Sequence, residues 1–562
     1  MIFNDDLNFE ERADYIESQD LKDWTVEHEE FSRLKEKLIQ TGAKLLVGPR
    51  GTGKTHLMLS THYECLQNSD FPLSTYISFN HYLRLESYLH STTNTISLFH
   101  TWVLTKIYLS AALQHEQQYS KLPPEINQDF IQEFLLNVES QKYEKFEDKY
   151  KIIINFFSVH IVKEFLHEIL DSKNRKRFIL LLDDAALTLT KDFMIEFFDI
   201  FRSLKSPRIS PKASIYPGTT QFGPRFHVGQ DAEKVNVWHD VQQPEYLLFL
   251  SELKNKRLQG LEIDENINKL LMYSSFGIPR AYLNLLRAYT SSTKKTPQSK
   301  FNNIIQDYCS YLIDEYLSIS DKLHQYKSFI DTGRTFFDAI VKELTQRNHN
   351  MLRGQSTENK HIHLGVNSID LEKNSYKLMI NFLQEAGLLY EVNEQSHGQD
   401  RRIKIYVIHY AFLLKNKAFT ITRGFKPEEI LHIISLSIAQ PYRKSIDSIL
   451  HSLGLEEPAL ILDSCSKCHT IKISPNQKFC HNCGSPLVIE STYKKCMNYP
   501  LNKVPLTKFQ KSALEATQFK KVQDVVMCTN FGEQIMQFPR IGTVRSNDIN
   551  QKVVTWVEEF LY

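Results

Sequence analysis

One octet narrows the folds open to this chain more than any other feature: Gly48-Pro49-Arg50-Gly51-Thr52-Gly53-Lys54-Thr55. It follows a short apolar run, AKLLVG at residues 43–48, and helical periodicity resumes at Lys54. A buried strand that feeds a glycine-rich turn and then a helix is the start of an α/β sheet. The octet fits the phosphate-loop pattern at every fixed position. In such a loop the glycines let backbone N–H groups curl around a phosphate at a helix N-terminus, where the helix dipole also favours an anion. The expected ligand is ATP, with Lys54 reaching its β- and γ-phosphates and the Thr55 hydroxyl ligating Mg2+.

Further apolar runs at residues 74–79, 178–182, 213–216 and 235–237 predict four more strands. Strands alternating with helices over some 200 residues predict a parallel sheet covered on both faces. The third run ends in Asp183-Asp184. An acid at that edge suits Mg2+, which assigns Asp183, and Asp184 is placed to orient or deprotonate an attacking water or else to cap the following helix. A mostly helical insertion spans about 81–170, either a helical layer or a surface for docking and sensing.

The phosphate loop, the Asp-Asp strand, a polar strand tip at Thr219 and Thr220 and the segment Gly277-Ile278-Pro279-Arg280 together resemble AAA+ ATPases. The nearest branch is the initiators of the origin-recognition-complex type, with the resemblance covering residues 25–415. It implies that Arg280 touches the γ-phosphate, that Thr219 or Thr220 senses the γ-phosphate and the water, and that Arg225 in FGPRF completes a neighbour's site. The resulting domain order is an ATPase core at 1–242, a helical lid at 243–322 and a winged helix at 323–422. In the winged helix, the helix near 375–386 and the residues Lys373, Lys377, His397, Arg401, Arg402 and Lys404 are candidate DNA contacts. Two departures stand out. The family usually has Asp-Glu where Asp183-Asp184 stands, which implies slow hydrolysis and a switch-like role. The insertion also has no counterpart in compact initiators.

A helical linker is expected at 423–459. Beyond it, Cys465-x-x-Cys468 and Cys480-x-x-Cys483 lie eleven residues apart. Two such turns facing each other give four thiolates in a tetrahedron, which predicts a closed, structural Zn2+ site in a ribbon at 460–489, with His469 and His481 superfluous as ligands. Zinc ribbons of this kind resemble modules that touch nucleic acid or partner proteins. Cys65, Cys309, Cys496 and Cys528 have no partner at ligand spacing. Residues 490–562 resemble the tandem helix-hairpin-helix that ends the alpha polypeptide of RNA polymerase. There Ile541-Gly542-Thr543 would be the glycine turn and Lys520, Lys521, Arg540 and Arg545 the basic residues, although Val544 and Arg545 depart from the pattern.

Lys plus Arg (67) almost cancels Asp plus Glu (66), so any polyanion must be met by local patches. The acidic start of the chain lacks a cationic stretch followed by an apolar one, and no apolar run approaches the ~20 residues of a membrane helix. Both observations predict a cytoplasmic protein with no membrane contact. The expected function is an ATP-binding, slowly hydrolysing AAA+ switch that binds DNA and self-associates or meets a partner protein. The alternative is a STAND-like signalling ATPase of a bacterial conflict or antiviral defence system, which the Asp-Asp pair and the insertion favour.

Overall fold

The computed structural model describes residue 13 and residues 16–561, except 80–84, 86, 87, 89–94, 141, 185–190, 219, 221, 355–357, 393, 397–401, 422, 423, 463, 475, 476, 478, 488–491 and 529. The chain gathers into two compact units. One comprises residues 1–76, 170–188 and 201–463, and the other residues 77–169, 189–200 and 464–562.

The first unit is built on a five-stranded sheet: β1 (Lys44–Val47), β2 (Leu73–Ser78), β3 (Phe178–Asp183), β4 (Ile209–Ile215) and β5 (Glu233–Asn236), in the order β2-β3-β4-β1-β5. β1 runs parallel to β4 and β5, and β3 runs parallel to β4. The α/β class with a parallel sheet is therefore as the sequence predicts. β3, FILLLD, is buried at every position, as a strand covered on both faces must be. β4 begins four residues earlier than its apolar run, because Pro211 and Lys212 break the pattern without ending the strand. Lys212 is fully buried, and its Nζ donates to the carbonyls of Gln40 (2.7 Å) and Gly42 (2.6 Å), where the helix Glu29–Ile39 ends. That burial lowers its pKa to about 7.

The helices Glu245–Arg257, Glu265–Ser274, Pro279–Ser291 and Pro297–Lys322 are followed by the long helix Lys327–Arg353. A second sheet then combines β7 (His363–Asn367), β8 (Leu389–Glu391), β9 (Gln395–Ser396) and β10 (Arg402–Ile408) with the late strand β12 (Tyr442–Arg443), while β6 (Asn359–Lys360) and β11 (Ser437–Ile438) form a separate two-stranded ribbon. β10 pairs antiparallel with β7, β8 and β9, and the helix Asn374–Glu385 precedes β8. Residues 423–459 are not the linker expected from sequence. β12 adds to β7 in parallel and β11 to β6, while Ile434, Ile446 and Leu450 sink into the core that holds Leu286, Leu364 and Val407. The helices of residues 245–322 and the second sheet share that one core, so position 322 divides a continuous apolar interior.

In the second unit the insertion supplies the helices Thr95–His115, Gln128–Glu139, Glu147–Phe156 and Val159–Ser172. Thr95–His115 is long and apolar enough to cross a membrane, but 67% of its most apolar window is buried in the protein. Phe99 stacks on Phe193 with ring centroids 4.3 Å apart, and the Trp102 indole donates to Glu139 at 3.1 Å, so this is a core helix. The C-terminal part contains five helices from Thr492–Met497 to Thr543–Leu561 around Val522, Phe531, Ile549 and Val553. In the predicted glycine turn, the left-handed residue is Arg540 (φ 69°) rather than Gly542, so the turn does not draw on glycine's freedom.

Candidate nucleotide site and four-cysteine centre

β1 ends in the phosphate loop, and the helix Lys54–Gln67 starts on the loop's last lysine. Gly51 (φ 85°) and Gly53 (φ 90°) hold left-handed backbone that side chains resist. A Cβ on Gly51 would come within 2.9 Å of Arg280 Cβ and 3.0 Å of Ile278 Cγ2. The Arg280 N–H also points at the Gly51 carbonyl, at 3.4 Å. The segment 277–280 therefore lies directly on the loop, which brings Gly51 and Arg280 together.

Lys54 is buried, and its Nζ donates to the carbonyls of Gly48 (2.6 Å) and Pro49 (3.0 Å), 4.6 Å from the centre of the Tyr216 ring. Burial lowers its pKa to about 8, partly offset by Asp183 and Asp184, while Arg280 and Arg50 push it further down. The Thr52 hydroxyl ties the loop to the Pro49 carbonyl at 3.0 Å, and Thr55 is half-buried in the first helical turn. Asp183, at the tip of β3, is 1% exposed. One of its oxygens accepts from the Tyr76 hydroxyl at 2.9 Å, and the other is buried without a hydrogen-bond partner among the described residues. Asp184 takes a left-handed conformation (φ 53°) and donates its N–H to Ser214 Oγ at 2.9 Å. Thr220 is turned back onto the strand, its hydroxyl donating to the Tyr216 carbonyl at 3.0 Å. Thr219 lies outside the described residues, and Arg225 is exposed on the loop ahead of β5.

These residues fit a magnesium nucleotide. An orphaned carboxylate oxygen needs a cation or a donor to offset its burial, and a glycine loop with a lysine at a helix N-terminus is matched to phosphate. Gly48, Pro49, Arg50, Gly51, Thr52, Gly53, Lys54 and Thr55 would hold ATP, and Thr55 and Asp183 its Mg2+.

Tyr76, Ser214 and Tyr216 belong to this constellation and were not anticipated. Their roles depend on which strands are neighbours, and no local pattern reports that. The helix Asn374–Glu385 was expected to face DNA, yet its C-terminal half docks on the strand tip. Asn381 Nδ2 donates to the Gly218 carbonyl at 2.8 Å, and a Cβ on Gly218 (φ 89°) would lie 2.8 Å from the Asn381 carbonyl oxygen. Beyond that helix, a Cβ on Gly387 would meet Ile278 Cδ1 at 3.4 Å and Pro49 Cβ at 4.0 Å. At the helix entry Lys373 is held by Asp447 (3.2 Å) and Glu457 (3.6 Å), and Lys404 pairs with Glu391 at 2.8 Å. Lys377 and Arg402 are exposed, while His397 and Arg401 lie outside the described residues.

The four cysteines converge, all sulfurs lying within 4.8 Å of one another. Cys465 Sγ is 3.6 Å from Cys483 Sγ, and Cys468 Sγ is 3.4 Å from Cys480 Sγ. Zinc–sulfur bonds of roughly 2.3 Å imply a tetrahedral edge of roughly 3.8 Å, so a Zn2+ ion fits. Each pair forms the same tight turn. The N–H of His469 donates to the Cys465 carbonyl, and that of Gly484 to the Cys480 carbonyl. Both residues after the second cysteine are left-handed, His469 at φ 58° and Gly484 at φ 66°.

The family described as ORC-CDC6-like matches residues 9–96, the segment containing β1, the phosphate loop and β2. No curated protein matches the sequence. Among solved structures, the Aeropyrum pernix ORC1 protein in complex with DNA aligns with 70% of this chain and 93% of that one, at 13% identity and a TM-score of 0.28. That superposition is too loose to fix any domain arrangement. Over residues 9–96, and through the phosphate loop they contain, the chain is similar to the ORC-CDC6-like proteins.

Proposed function

We propose that this chain is a cytoplasmic, ATP-binding AAA+ switch of the initiator kind, which binds DNA and assembles on it according to its nucleotide state. The observation that carries the reading is the pairing of a buried lysine in an ORC-CDC6-like phosphate loop with the buried, half-satisfied carboxylate of Asp183. ATP with Mg2+ supplies a γ-phosphate whose presence or absence the surrounding groups can register. Lys54 and Thr55 grip it, Arg280 brings the lid to it, and Thr219 or Thr220 reports from the strand tip. Asp184 orients or deprotonates water with a side chain one methylene shorter than glutamate, which suits slow turnover. Arg225 would complete the site of a second copy. The contact between Gly218 and Asn381 supports transmission of the nucleotide state to the winged helix.

Calorimetry with Mg-ATP on the full chain and on Lys54→Ala tests the nucleotide half, and heat that is identical in both refutes it. Fluorescence anisotropy with labelled DNA, with and without ATP, tests the other half. True phosphate contacts weaken steeply as salt rises. The helical insertion and Asp184 support a second reading, a STAND-like signalling ATPase acting through a partner protein in a conflict or antiviral system. A stoichiometric protein, rather than nucleic acid, co-purifying with the chain would favour it.

A further inference from the structure

The near-zero total charge hides a segregation along the chain. Residues 464–562 carry thirteen Lys and Arg against seven Asp and Glu, a net +6, and residues 1–463 carry the balancing −5. The contrast is sharpest in the cysteine ribbon. Residues 464–489 contain Lys467, Lys472, Lys478, His469 and His481 and no carboxylate at all. Lys373 and Lys404, the cations expected from sequence to meet DNA, each have carboxylate partners.

The ribbon also exposes apolar side chains that a structural zinc site does not require. Ile471 is 64% exposed, Ile473 72% and Phe479 63%, while Lys472 between the two isoleucines is buried. Ile471 and Ile473 therefore both present apolar side chains to solvent, on either side of one buried residue. Gln477 links the distant parts of this surface. Its Oε1 accepts from the Ile473 N–H at 2.7 Å, and its Nε2 donates to the Phe479 carbonyl at 2.8 Å and lies 3.2 Å from His481 Nδ1. Ile473, Phe479 and His481 are thereby organised around one side-chain amide, on a scaffold fixed by the four cysteines.

We propose that the ribbon is a nucleic-acid contact of this chain, with Lys467 and His481 facing phosphates and Phe479, flanked by Ile473, stacking against an unpaired base. An exposed aromatic ring in a segment that carries cations and no carboxylate of its own has the chemistry of a stacking platform for a single strand. The positive excess continues past the apolar patch through residues 490–521, with seven Lys against two Glu, which matches a long polyanion better than a short acidic peptide. The inference rests on the DNA reading above and moves the contact to a part of the chain outside the ORC-CDC6-like segment.

The test is fluorescence anisotropy of the full chain with a labelled single strand and with the matching duplex, from low to physiological salt. Each variant is first checked for one bound zinc per chain, which shows that the ribbon has folded. Lys467→Glu combined with Phe479→Ala should weaken single-strand binding about tenfold or more, with a shallower salt dependence, and Phe479→Tyr should bind like the natural protein. Lys373→Ala and Lys404→Ala should change affinity less than about twofold by the same contact logic. If the zinc-loaded ribbon variant binds as tightly as the natural chain, the assignment falls while the DNA reading stands. Polyglutamate competing as well as the oligonucleotide would overturn it in favour of an acidic protein partner. If the natural chain binds neither oligonucleotide, the DNA reading itself fails.

Discussion

Gly218→Ala should release the helix Asn374–Glu385 from the tip of β4, and the expected size follows from its neighbours. Gly218 holds φ 89°, and an added Cβ would sit 2.8 Å from a backbone oxygen and 2.9 Å from a Cα of Asn381. Backbone cannot rotate aside as a side chain can, so the helix must move. The left-handed conformation costs an alanine about 1–2 kcal/mol. Forced contact with packed backbone adds about 1–3 kcal/mol, and loss of the Asn381–Gly218 hydrogen bond about 0.5–1.5 kcal/mol. Gly53 separates these effects, because it holds φ 90° with nothing within 4 Å of its Cβ. Gly53→Ala should show the conformational cost alone, confined to the phosphate loop. In hydrogen exchange read by mass spectrometry, peptides over residues 374–391 should open in Gly218→Ala with about 3 kcal/mol less free energy, on the order of a hundredfold faster exchange. Gly53→Ala should leave them unchanged, and Asn381→Ala should accelerate them by about tenfold or less. Natural exchange over that helix in Gly218→Ala would refute the docking and, with it, the proposed path from the strand tip to the helix Asn374–Glu385.

Tyr76→Phe removes the donor to Asp183 and should weaken magnesium-dependent nucleotide binding by about 1 kcal/mol without unfolding the sheet, which titration of Mg2+ against a fluorescent nucleotide would measure. Chelation of zinc, or Cys465→Ser, should open residues 464–487 to protease while the melting of the first unit stays as it was, because the four sulfurs are the centre of a small segment within the second unit. Lys212 predicts a pH dependence. Burial lowers it from 10.5 to about 7, so between those values the folded chain binds fewer protons than the unfolded one, and stability rises with pH. Urea unfolding of Lys212→Met should lack that part of the rise between pH 7 and 10. A difference from the natural chain that stays flat across this window would contradict the burial.

What could be read from the sequence was set by how local each signal is. The phosphate loop, the apolar β3 and the cysteine pairs each announce themselves within a few residues, because glycine, aspartate and thiol chemistry act at short range. β11 and β12 are two residues long and have no periodicity to detect, so their segment looked like connecting helices. Tyr76, Ser214 and Tyr216 join the nucleotide site only through the strand order, which sequence spacing does not encode. Lys373 and Lys404 carried the charge expected of DNA contacts, but Asp447, Glu457 and Glu391, which neutralise them, lie 13 to 84 residues away in sequence. The helix beginning at Asn374 had the right pattern for its fold and an unexpected neighbour in Gly218.

The late strand β12 bears on how the chain emerges from the ribosome. β7 lies beside a segment made almost eighty residues after it, and Ile446 and Leu450 fill the same interior as Leu364. Until those residues leave the exit tunnel, the second sheet has an unsealed edge and an unfilled cavity. A nascent chain paused before residue 450 should therefore expose apolar surface to chaperones, and a fragment cut at the apparent boundary near 422 would be an unfinished domain.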